Sequence, residues 1–200
     1  MAVKNIVFDM GNVLLAYNPR EYVHKIIHDA DAEKAVLQEL FFGPEWVQLD
    51  AGSITEEQAV RQVQLRIPQY ADDVQTAMDL WHSDLNPVEG MPEIVDELKK
   101  RNYRVFLLSN TSLRFFSFYK KVKMFEKFDG FIVSAKERLM KPDQAIYQCL
   151  CKRYSLIPQE CLFIDDLQKN VDGAIRAGFA GHCFAGSGDL KMFLKQAGIL

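Results

Sequence analysis

The order of apolar and polar positions divides this chain into three stretches. A short apolar run near the start ends at Asp9 and turns through Gly11 and Asn12. Apolar residues then recur three or four positions apart over residues 17–86, which predicts helices and no strand there. From residue 87 onward, short apolar runs alternate with helical patterns, as is typical of parallel strands covered on both faces.

The middle stretch predicts a bundle of four helices, at residues 19–27, 35–41, 54–67 and 74–81. Gly43-Pro44 is interpreted as the end of the second helix. Ser53-Ile54-Thr55-Glu56 has the form of a capping box and predicts the start of the third. Trp81 fits the apolar stripe of the fourth helix, whereas Trp46 is open to two interpretations, a buried aromatic or a side chain that faces a cleft.

The last stretch predicts four strands, at residues 105–108, 131–134, 161–164 and 181–184. The predicted fold class is α/β, with a doubly wound, Rossmann-like parallel sheet. Its core comprises residues 1–16 and 87–200, and a small helical-bundle cap, residues 17–86, is inserted after the first strand. This arrangement places the cap above the carboxyl ends of the strands, where open α/β sheets bind their ligands.

Composition narrows the classes of partner. A formal net charge of −3 gives no electrostatic case for binding nucleic acid. No apolar run approaches the roughly 18 residues of a membrane span, and Asp9 comes too early for a signal peptide, so we expect a cytoplasmic protein. The four cysteines contain no C-x-x-C pair, which disfavours a zinc site. A small-molecule partner and a monomer or homodimer are expected.

Polar side chains follow four of the predicted strands. They are Asp9, then Ser109 and Asn110, then Lys141 after a loop, and finally Asp165 and Asp166. Because parallel strands bring their carboxyl ends to one edge, we expect these groups to meet. Carboxylates that face each other repel unless a cation lies between them, and Mg²⁺ prefers oxygen ligands. Asp9 is then a candidate nucleophile toward a phosphoryl group, with hydroxyl, amide and ammonium donors nearby.

Each motif also has a simpler explanation when it is taken alone. Ser109-Asn110 could be a helix N-cap, Lys141 a surface lysine and Asp165-Asp166 the cap of the helix that follows. Their joint occurrence, in this order and at strand ends, favours the functional interpretation.

With these motifs, the chain resembles the haloacid dehalogenase (HAD) superfamily over its whole length. That family shows a strand ending in Asp, a strand ending in Ser or Thr, a Lys, and a strand ending in an acidic pair. The corresponding segments here are Phe8-Asp9-Met10-Gly11-Asn12-Val13, Leu107-Leu108-Ser109-Asn110, Met140-Lys141-Pro142-Asp143 and Phe163-Ile164-Asp165-Asp166. They are especially similar to bacterial sugar-phosphate phosphatases that act on α-D-glucose 1-phosphate.

The resemblance implies a role for each motif residue. Asp9 would be the nucleophile and a ligand of Mg²⁺, to which Gly11 would offer its backbone carbonyl. Asp166 would be the more direct acidic ligand, with Asp165 alongside or acting through water. Ser109, Asn110 and Lys141 would hold the phosphoryl oxygens, and Asn170 would brace the acidic loop.

One position departs from the family pattern. Phosphatases of this family usually carry a second Asp two residues after the nucleophile as general acid and base, and here that position is Gly11. Such a group contributes roughly 10²–10⁴-fold to the rate. Our hypothesis is that the substrate has a good leaving group, or that water or a residue of the cap donates the proton.

The predicted function is therefore a Mg²⁺-dependent phosphatase that hydrolyses a small phosphomonoester through an aspartyl-phosphate, with a sugar phosphate such as a hexose 1-phosphate as substrate. Three alternatives stay open. A 2-haloacid dehalogenase also uses an Asp nucleophile and lacks the second Asp, but it needs no metal. A phosphomutase would pass the phosphoryl group to a sugar, and a non-catalytic protein would only bind a sugar phosphate.

Overall fold

A five-stranded parallel sheet forms the centre of the computed structural model, which describes residues 2–83 and 85–200. Its strands are β1 (Asn5–Phe8), β2 (Arg104–Ser109), β3 (Gly130–Val133), β4 (Cys161–Asp165) and β5 (Ala180–Cys183). They lie in the order β3-β2-β1-β4-β5, and every neighbouring pair is parallel. The sheet confirms the predicted doubly wound α/β class, with strand bounds within one or two residues of those expected from the sequence.

Eleven α-helices accompany the sheet within the described residues. They are α1 (Pro19–Ile26), α2 (Ala30–Val36), α3 (Pro44–Asp50), α4 (Glu56–Arg66), α5 (Ala71–Leu80), α6 (Met91–Lys100), α7 (Phe115–Phe118), α8 (Ser134–Glu137), α9 (Gln144–Tyr154), α10 (Gln168–Arg176) and α11 (Ser187–Gln196). A π-helical turn, Leu37–Phe41, extends α2. Because the sheet is parallel, helices are needed on both faces to bury its apolar side chains.

The central strand β1 shows how the core is divided. Its side chains alternate across the sheet, and Ile6, Val7 and Phe8 are all fully buried. Ile6 and Phe8 pack in the cluster that includes the apolar faces of α6 and α11, whereas Val7 packs in a second cluster with α9 and α10. A strand buried on both faces has no room for an exposed polar residue until it ends, which is where Asp9 lies.

Helices α1–α5, here called the cap helices, follow β1 and pack into one apolar cluster with the sheet. As predicted, the described part of residues 17–86 contains helices and no strand. One isolated antiparallel bridge, Leu15 to Pro87, connects the two ends of this stretch, where backbone bonds join Ala16 N–H to Asn86 O at 2.8 Å and Val88 N–H to Leu14 O at 3.0 Å. The two chain crossings between cap helices and core therefore run side by side. The boundaries of the cap at residues 17 and 86 stay a prediction.

Three local predictions differ from the structure. The sequence predicts the end of a helix at Gly43-Pro44 and no element directly after it, but Pro44 is the first residue of the helix α3. The capping box of α4 is formed by Thr55 and Gln58, two residues later than predicted, because the side chain and backbone of these two residues bond reciprocally. The spacing of Leu113, Phe116 and Val122 predicts a helix after β2, but the structure has only the single turn α7 followed by 3₁₀ turns, and the side chains buried in α7 are Phe115 and Phe118.

Polar contacts join the cap helices to the core on one side. The Arg114 guanidinium donates to both carboxylate oxygens of Glu56 in α4, at 2.9 and 2.6 Å. The Ser134 hydroxyl at the start of α8 donates to the backbone carbonyl of Asp50 at the end of α3. These contacts fix where the last turn of α3 lies relative to the carboxyl edge of the sheet.

None of the helices in the described ranges combines the length and the apolar character that crossing a membrane would require.

We expect Arg66→Met to loosen the cap helices. Arg66 donates to both carboxylate oxygens of Glu45, at 2.6 and 2.7 Å, and the Glu45 side chain is only 5% exposed. Loss of the guanidinium leaves this carboxylate without its partner, at a cost of about 1–3 kcal/mol in the free energy of unfolding at pH 7. Urea titrations measure the difference.

The pH dependence and a control variant complete this test. Because the side-chain bonds from Arg66 lower the pKa of Glu45, the stabilisation is present at neutral pH and is lost as the pH falls through that lowered pKa. Arg101→Met removes the exposed ion pair with Glu97 and should change stability by less than about 0.5 kcal/mol. Equal losses in the two variants would contradict the assignment.

Candidate active site

The carboxyl edge of the sheet brings the predicted site residues together. Phe8, the last residue of β1, lies in register with Leu107 of β2 and Ile164 of β4. The Asp9 N–H donates to the Ile164 carbonyl at 2.9 Å, which places Asp9 beside Asp165 at the end of β4. The meeting of these carboxylates was expected from the parallel topology, and the strand register produces it.

Lys141 lies between two of the carboxylates. Its ammonium Nζ is 2.7 Å from Asp9 Oδ1 and 2.6 Å from Asp165 Oδ2, and its side chain is 1% exposed. Burial alone would lower the pKa of Lys141, but the charges of Asp9 and Asp165 raise it above its usual value, so the amine is a cation. Burial raises the pKa of Asp9 to about 6, and Lys141 opposes that rise. The lysine thus keeps a buried carboxylate ionised at neutral pH.

Asp165 is fully buried and accepts several hydrogen bonds. The Asn170 side-chain amide donates to Oδ1 at 3.0 Å and to Oδ2 at 3.1 Å, and the Leu167 N–H donates to Oδ1 at 2.8 Å. Together with Lys141, these donors provide the hydrogen bonds and the positive charge that the buried Asp165 carboxylate requires. Asn170 therefore braces the acidic loop in the way that the family resemblance implied.

Asp166 is only half-buried and points toward the turn after β1. Burial and the neighbouring Asp165 raise its pKa, while a side-chain bond from Asn12 lowers it. Asn12, rather than Gly11, is the residue of this turn with a left-handed backbone, at φ 57°. Short polar residues tolerate that conformation, which explains Asn at this position.

The acidic residues can hold a small divalent cation. Carboxylate oxygens of Asp9, Asp165 and Asp166 all lie within 4.8 Å of one another. An all-oxygen set of this kind suits Mg²⁺, which binds one or two carboxylates and keeps several waters. The structure thus brings together the three predicted acidic ligands, and the carbonyl of Gly11 as a further ligand stays a prediction.

Ser109 and Asn110, at the carboxyl end of β2, lie at the same edge of the sheet as Asp9. Asn110 uses its side chain to hold the backbone of Lys141, donating to its carbonyl at 3.0 Å and accepting from its N–H at 2.9 Å. Ser109 is buried at the strand end. The assignment of Ser109, Asn110 and Lys141 to phosphoryl oxygens stays a prediction, and the structure adds that Asn110 positions the lysine loop.

A cavity of about 100 Å³ opens at this edge, between the core and the cap helices. Its core side is formed by Asp9, Met10, Gly11, Ser109, Asn110 and Thr111, and its other side by Tyr17, Trp46, Asp50 and Trp81. The predicted nucleophile and both predicted β2 residues therefore line one cavity, whose walls come from two parts of the chain.

Aromatic rings form the cavity wall on the side of the cap helices. The rings of Trp46 and Trp81 lie 5.4 Å apart edge to face, and Tyr17 contacts Trp81 at 6.1 Å. Trp46 fits both interpretations that the sequence left open, since it packs on Phe41 at 4.7 Å and also lines the cavity. Trp81 is buried in the apolar cluster, as its place in the predicted stripe implies, and its ring is part of the cavity wall as well.

Asp50 is the cavity residue that sequence reasoning missed. It ends α3, the helix that was not predicted, and its carboxylate accepts a hydrogen bond from the Ser112 backbone N–H. Burial raises the pKa of Asp50 to about 8, with a further contribution from Asp9 and an opposing one from Lys141. The helix α3 could have been predicted, because Gly43-Pro44 is a good helix start and Trp46 and Leu49 share one face, but no local pattern marks Asp50 as a cavity residue.

A parallel α/β core with a lysine between strand-end carboxylates defines a class of hydrolase, and the comparison with known proteins agrees. Residues 3–178 match the protein family described as "haloacid dehalogenase-like hydrolase". This chain belongs to the haloacid dehalogenase-like hydrolases and is an enzyme of that family.

Two curated relatives are hydrolases of phosphate esters by name. Sesquiterpene phosphatase astK of Aspergillus oryzae is 26% identical over 194 residues, which cover 96% of this chain and 95% of that protein. Flavin mononucleotide hydrolase 1 of Arabidopsis thaliana is 25% identical over 154 residues, 77% of this chain and 62% of that protein. The specific likeness to α-D-glucose-1-phosphate phosphatases stays a prediction.

Solved structures share the fold. The magnesium complex of the HAD family enzyme bt-2542 from Bacteroides thetaiotaomicron has a TM-score of 0.73 and 22% identity, and the match covers 98% of this chain and 100% of that one. L-2-haloacid dehalogenase from Xanthobacter autotrophicus has a TM-score of 0.67 and 16% identity, covering 99% and 84%. Both similarities extend over the cap helices as well as the sheet.

We expect Lys141→Met to destabilise the fold in a pH-dependent way. The variant leaves Asp9 and Asp165 side by side and buried without their shared cation, at a cost of about 3–5 kcal/mol. Asp9 has a pKa already raised to about 6, and loss of the lysine raises it further, so the folded state binds more protons than the unfolded state. The deficit should therefore be larger at pH 8 than at pH 5.

Urea unfolding in the absence of divalent cations measures this deficit at the two pH values. Lys100→Met, at an exposed lysine in the last turn of α6, is the matched control and should change stability little at either pH. A deficit that is the same at pH 5 and pH 8 would show that the lysine does not stabilise ionised carboxylates.

Proposed function

We propose that this hydrolase is a Mg²⁺-dependent phosphatase that acts on small phosphomonoesters through an aspartyl-phosphate on Asp9. The observation that carries the proposal is the pairing of Lys141 with Asp9 and Asp165 directly beside a cavity lined by Asp9, Ser109 and Asn110. A nucleophilic carboxylate needs to be ionised, fixed in place and open to substrate on one side. Asp9 meets these conditions, since Lys141 holds Oδ1 and the carboxylate is partly exposed to the cavity.

The donor set fits the magnesium ion of this proposal. Asp9 and Asp166 would hold it, Asp165 would do so directly or through water, and the Gly11 carbonyl is the further candidate ligand. When bound, the ion would neutralise charge on the phosphoryl oxygens. The related fold of bt-2542 has been solved with magnesium and inorganic phosphate, which supports the same ligand chemistry here.

The chain's own residues supply the remaining steps. Asp9 attacks phosphorus, Ser109 and Asn110 donate hydrogen bonds to phosphoryl oxygens, and Lys141 stabilises the carboxylate before and after transfer. Water then hydrolyses the aspartyl-phosphate and releases inorganic phosphate. A non-catalytic binding protein would have no use for a buried, cation-paired nucleophile.

Hexose 1-phosphate is the first candidate substrate, on the strength of the sequence motifs. The aromatic wall of Tyr17, Trp46 and Trp81 supports a leaving group with a ring or hydrocarbon face, which a sugar, an isoprenoid and a flavin all offer. The names of the two curated relatives refer to an isoprenoid and to a flavin nucleotide. The substrate screen below therefore includes sugar, isoprenoid and flavin phosphates.

Phosphate release measured over a panel of sugar, isoprenoid and nucleotide monophosphates tests the activity. We expect turnover with Mg²⁺, its loss with EDTA, and loss to background in Asp9→Asn. Asp172→Asn, at an exposed position on α10, is the control and should retain activity. Chloride release from 2-chloropropionate that persists in EDTA, with no phosphate release, would identify a dehalogenase instead.

Metal binding has a test that does not depend on turnover. A ligand that binds only the folded state raises stability, so Mg²⁺ should raise the Tm of the protein in the absence of substrate. Asp166→Asn should reduce that rise, because the half-buried Asp166 contributes to the oxygen cluster and makes no ion pair with Lys141. A rise in Tm that is identical in the variant would contradict this ligand assignment.

A further inference from the structure

A phosphatase that releases a poor leaving group gains from a positioned proton donor, and the family's usual position for it is empty in this chain. When Asp9 attacks phosphorus, the departing oxygen carries negative charge unless it is protonated, and a positioned acid contributes roughly 10²–10⁴-fold for a poor leaving group. The position two residues after Asp9 is Gly11, which has no side chain. Any donor among the described residues must therefore come from elsewhere in the cavity wall.

The cavity wall offers few groups that can both give and take a proton. Ser109 and Thr111 have hydroxyls that ionise far above neutral pH, and burial raises the pKa of Tyr17 above its usual value, so none of these donates readily. The two tryptophans have donor groups only. Asp50 is the remaining titratable lining residue besides Asp9 itself.

The backbone around Asp50 is fixed to the core. Its carbonyl accepts from the Ser134 hydroxyl, and that hydroxyl also accepts from the Thr111 N–H at 2.8 Å. Gly52, with a left-handed backbone at φ 66°, lies so close to α8 that a Cβ would be 2.1 Å from the Ala135 carbonyl oxygen. The last turn of α3 is thus held firmly against the carboxyl edge, and the Asp50 carboxyl is held with it.

We propose that Asp50 is the general acid and base of this enzyme, and that it donates from the cap side of the cavity the proton that the core cannot supply at Gly11. The inference rests on the proposed phosphatase activity. Burial, and after it the charge of Asp9, raises the pKa of Asp50 to about 8 against the opposing charge of Lys141, so its carboxyl can hold a proton at neutral pH. A group whose pKa lies near neutral pH can both give and take a proton, which acid–base catalysis requires.

The proton and the bonds balance over two steps. In the first, Asp9 forms a bond to phosphorus, the bond from phosphorus to the leaving oxygen breaks, and the Asp50 proton passes to that oxygen to give the free alcohol. In the second, Asp50 as carboxylate takes a proton from water while the water oxygen bonds to phosphorus and the Asp9–phosphorus link breaks. The products are the alcohol and hydrogen phosphate, and both aspartates return to their starting states.

Asp50→Asn tests this assignment with little change of shape. The amide oxygen can still accept from the Ser112 N–H, so a purely structural role survives the substitution, but Asn has no proton to give. We expect kcat on alkyl phosphates, which have poor leaving groups, to fall about 10²–10⁴-fold. On p-nitrophenyl phosphate, whose leaving group needs little protonation, the loss should be smaller by at least one order of magnitude.

A rescue variant makes the test specific for proton transfer. A Cβ at Gly11 would be 3.8 Å from its nearest neighbour, the Tyr17 Cβ, which is ordinary van der Waals contact, so a side chain can begin there without a clash. Gly11→Asp in the Asp50→Asn background should restore turnover of alkyl phosphates by at least about tenfold, because it returns an acid to the cavity from the core side. Asp73→Asn, an acidic position in the first turn of α5, is the control.

The outcomes separate the two proposals. No phosphate release by the wild type from any ester, p-nitrophenyl phosphate included, would overturn the proposed function itself. An active wild type, together with an Asp50→Asn variant that loses activity equally on alkyl and nitrophenyl esters, would overturn the role of Asp50. Retention of the wild-type Tm in Asp50→Asn ensures that the loss is not one of folding.

Discussion

The buried ammonium of Lys141 is the interaction on which the carboxyl edge depends. Asp9 follows β1 and Asp165 ends β4, and these strands are adjacent, so their carboxylates are forced together at the point of least solvent. Two like charges in such a place repel strongly unless a cation lies between them. The lysine that provides it is on a separate loop, and that loop is itself held by the Asn110 side chain at the end of β2. Lys141 therefore connects the ends of β1 and β4 through its ammonium and the end of β2 through its backbone.

This arrangement gives the two carboxylates that share the lysine different surroundings. Asp165 is enclosed and accepts hydrogen bonds from Asn170 and the Leu167 backbone, so its oxygens are largely committed. Asp9 shares the same lysine but faces the cavity. Identical side chains at the ends of neighbouring strands thus differ in the number of donors around each one and in their access to the cavity.

Most of the core could be predicted from sequence because each of its signals is local. A buried strand is a short apolar run, and the polar residue that ends it is visible at once, so the positions of Asp9, Ser109 and Asp165 followed from β1, β2 and β4. The wall of the cavity on the side of the cap helices was harder to predict. The wall that faces Asp9 is made by residues far apart in sequence, and neither Asp50 nor Trp81 has a local pattern that distinguishes a cavity residue from a packed one. Only the tertiary arrangement shows that α3 ends over the cavity.

The paired crossings beside Leu14 and Val88 have a consequence for how the cap helices are attached to the core. Since the outgoing and returning chains are bonded to each other, at Ala16–Asn86 and Val88–Leu14, they form one two-stranded connection instead of two independent linkers. The outgoing segment is the one that leaves Asp9, and the returning segment is the one that leads into α6. A residue inserted into or deleted from either segment would break hydrogen bonds of both, so the two connections constrain each other's length.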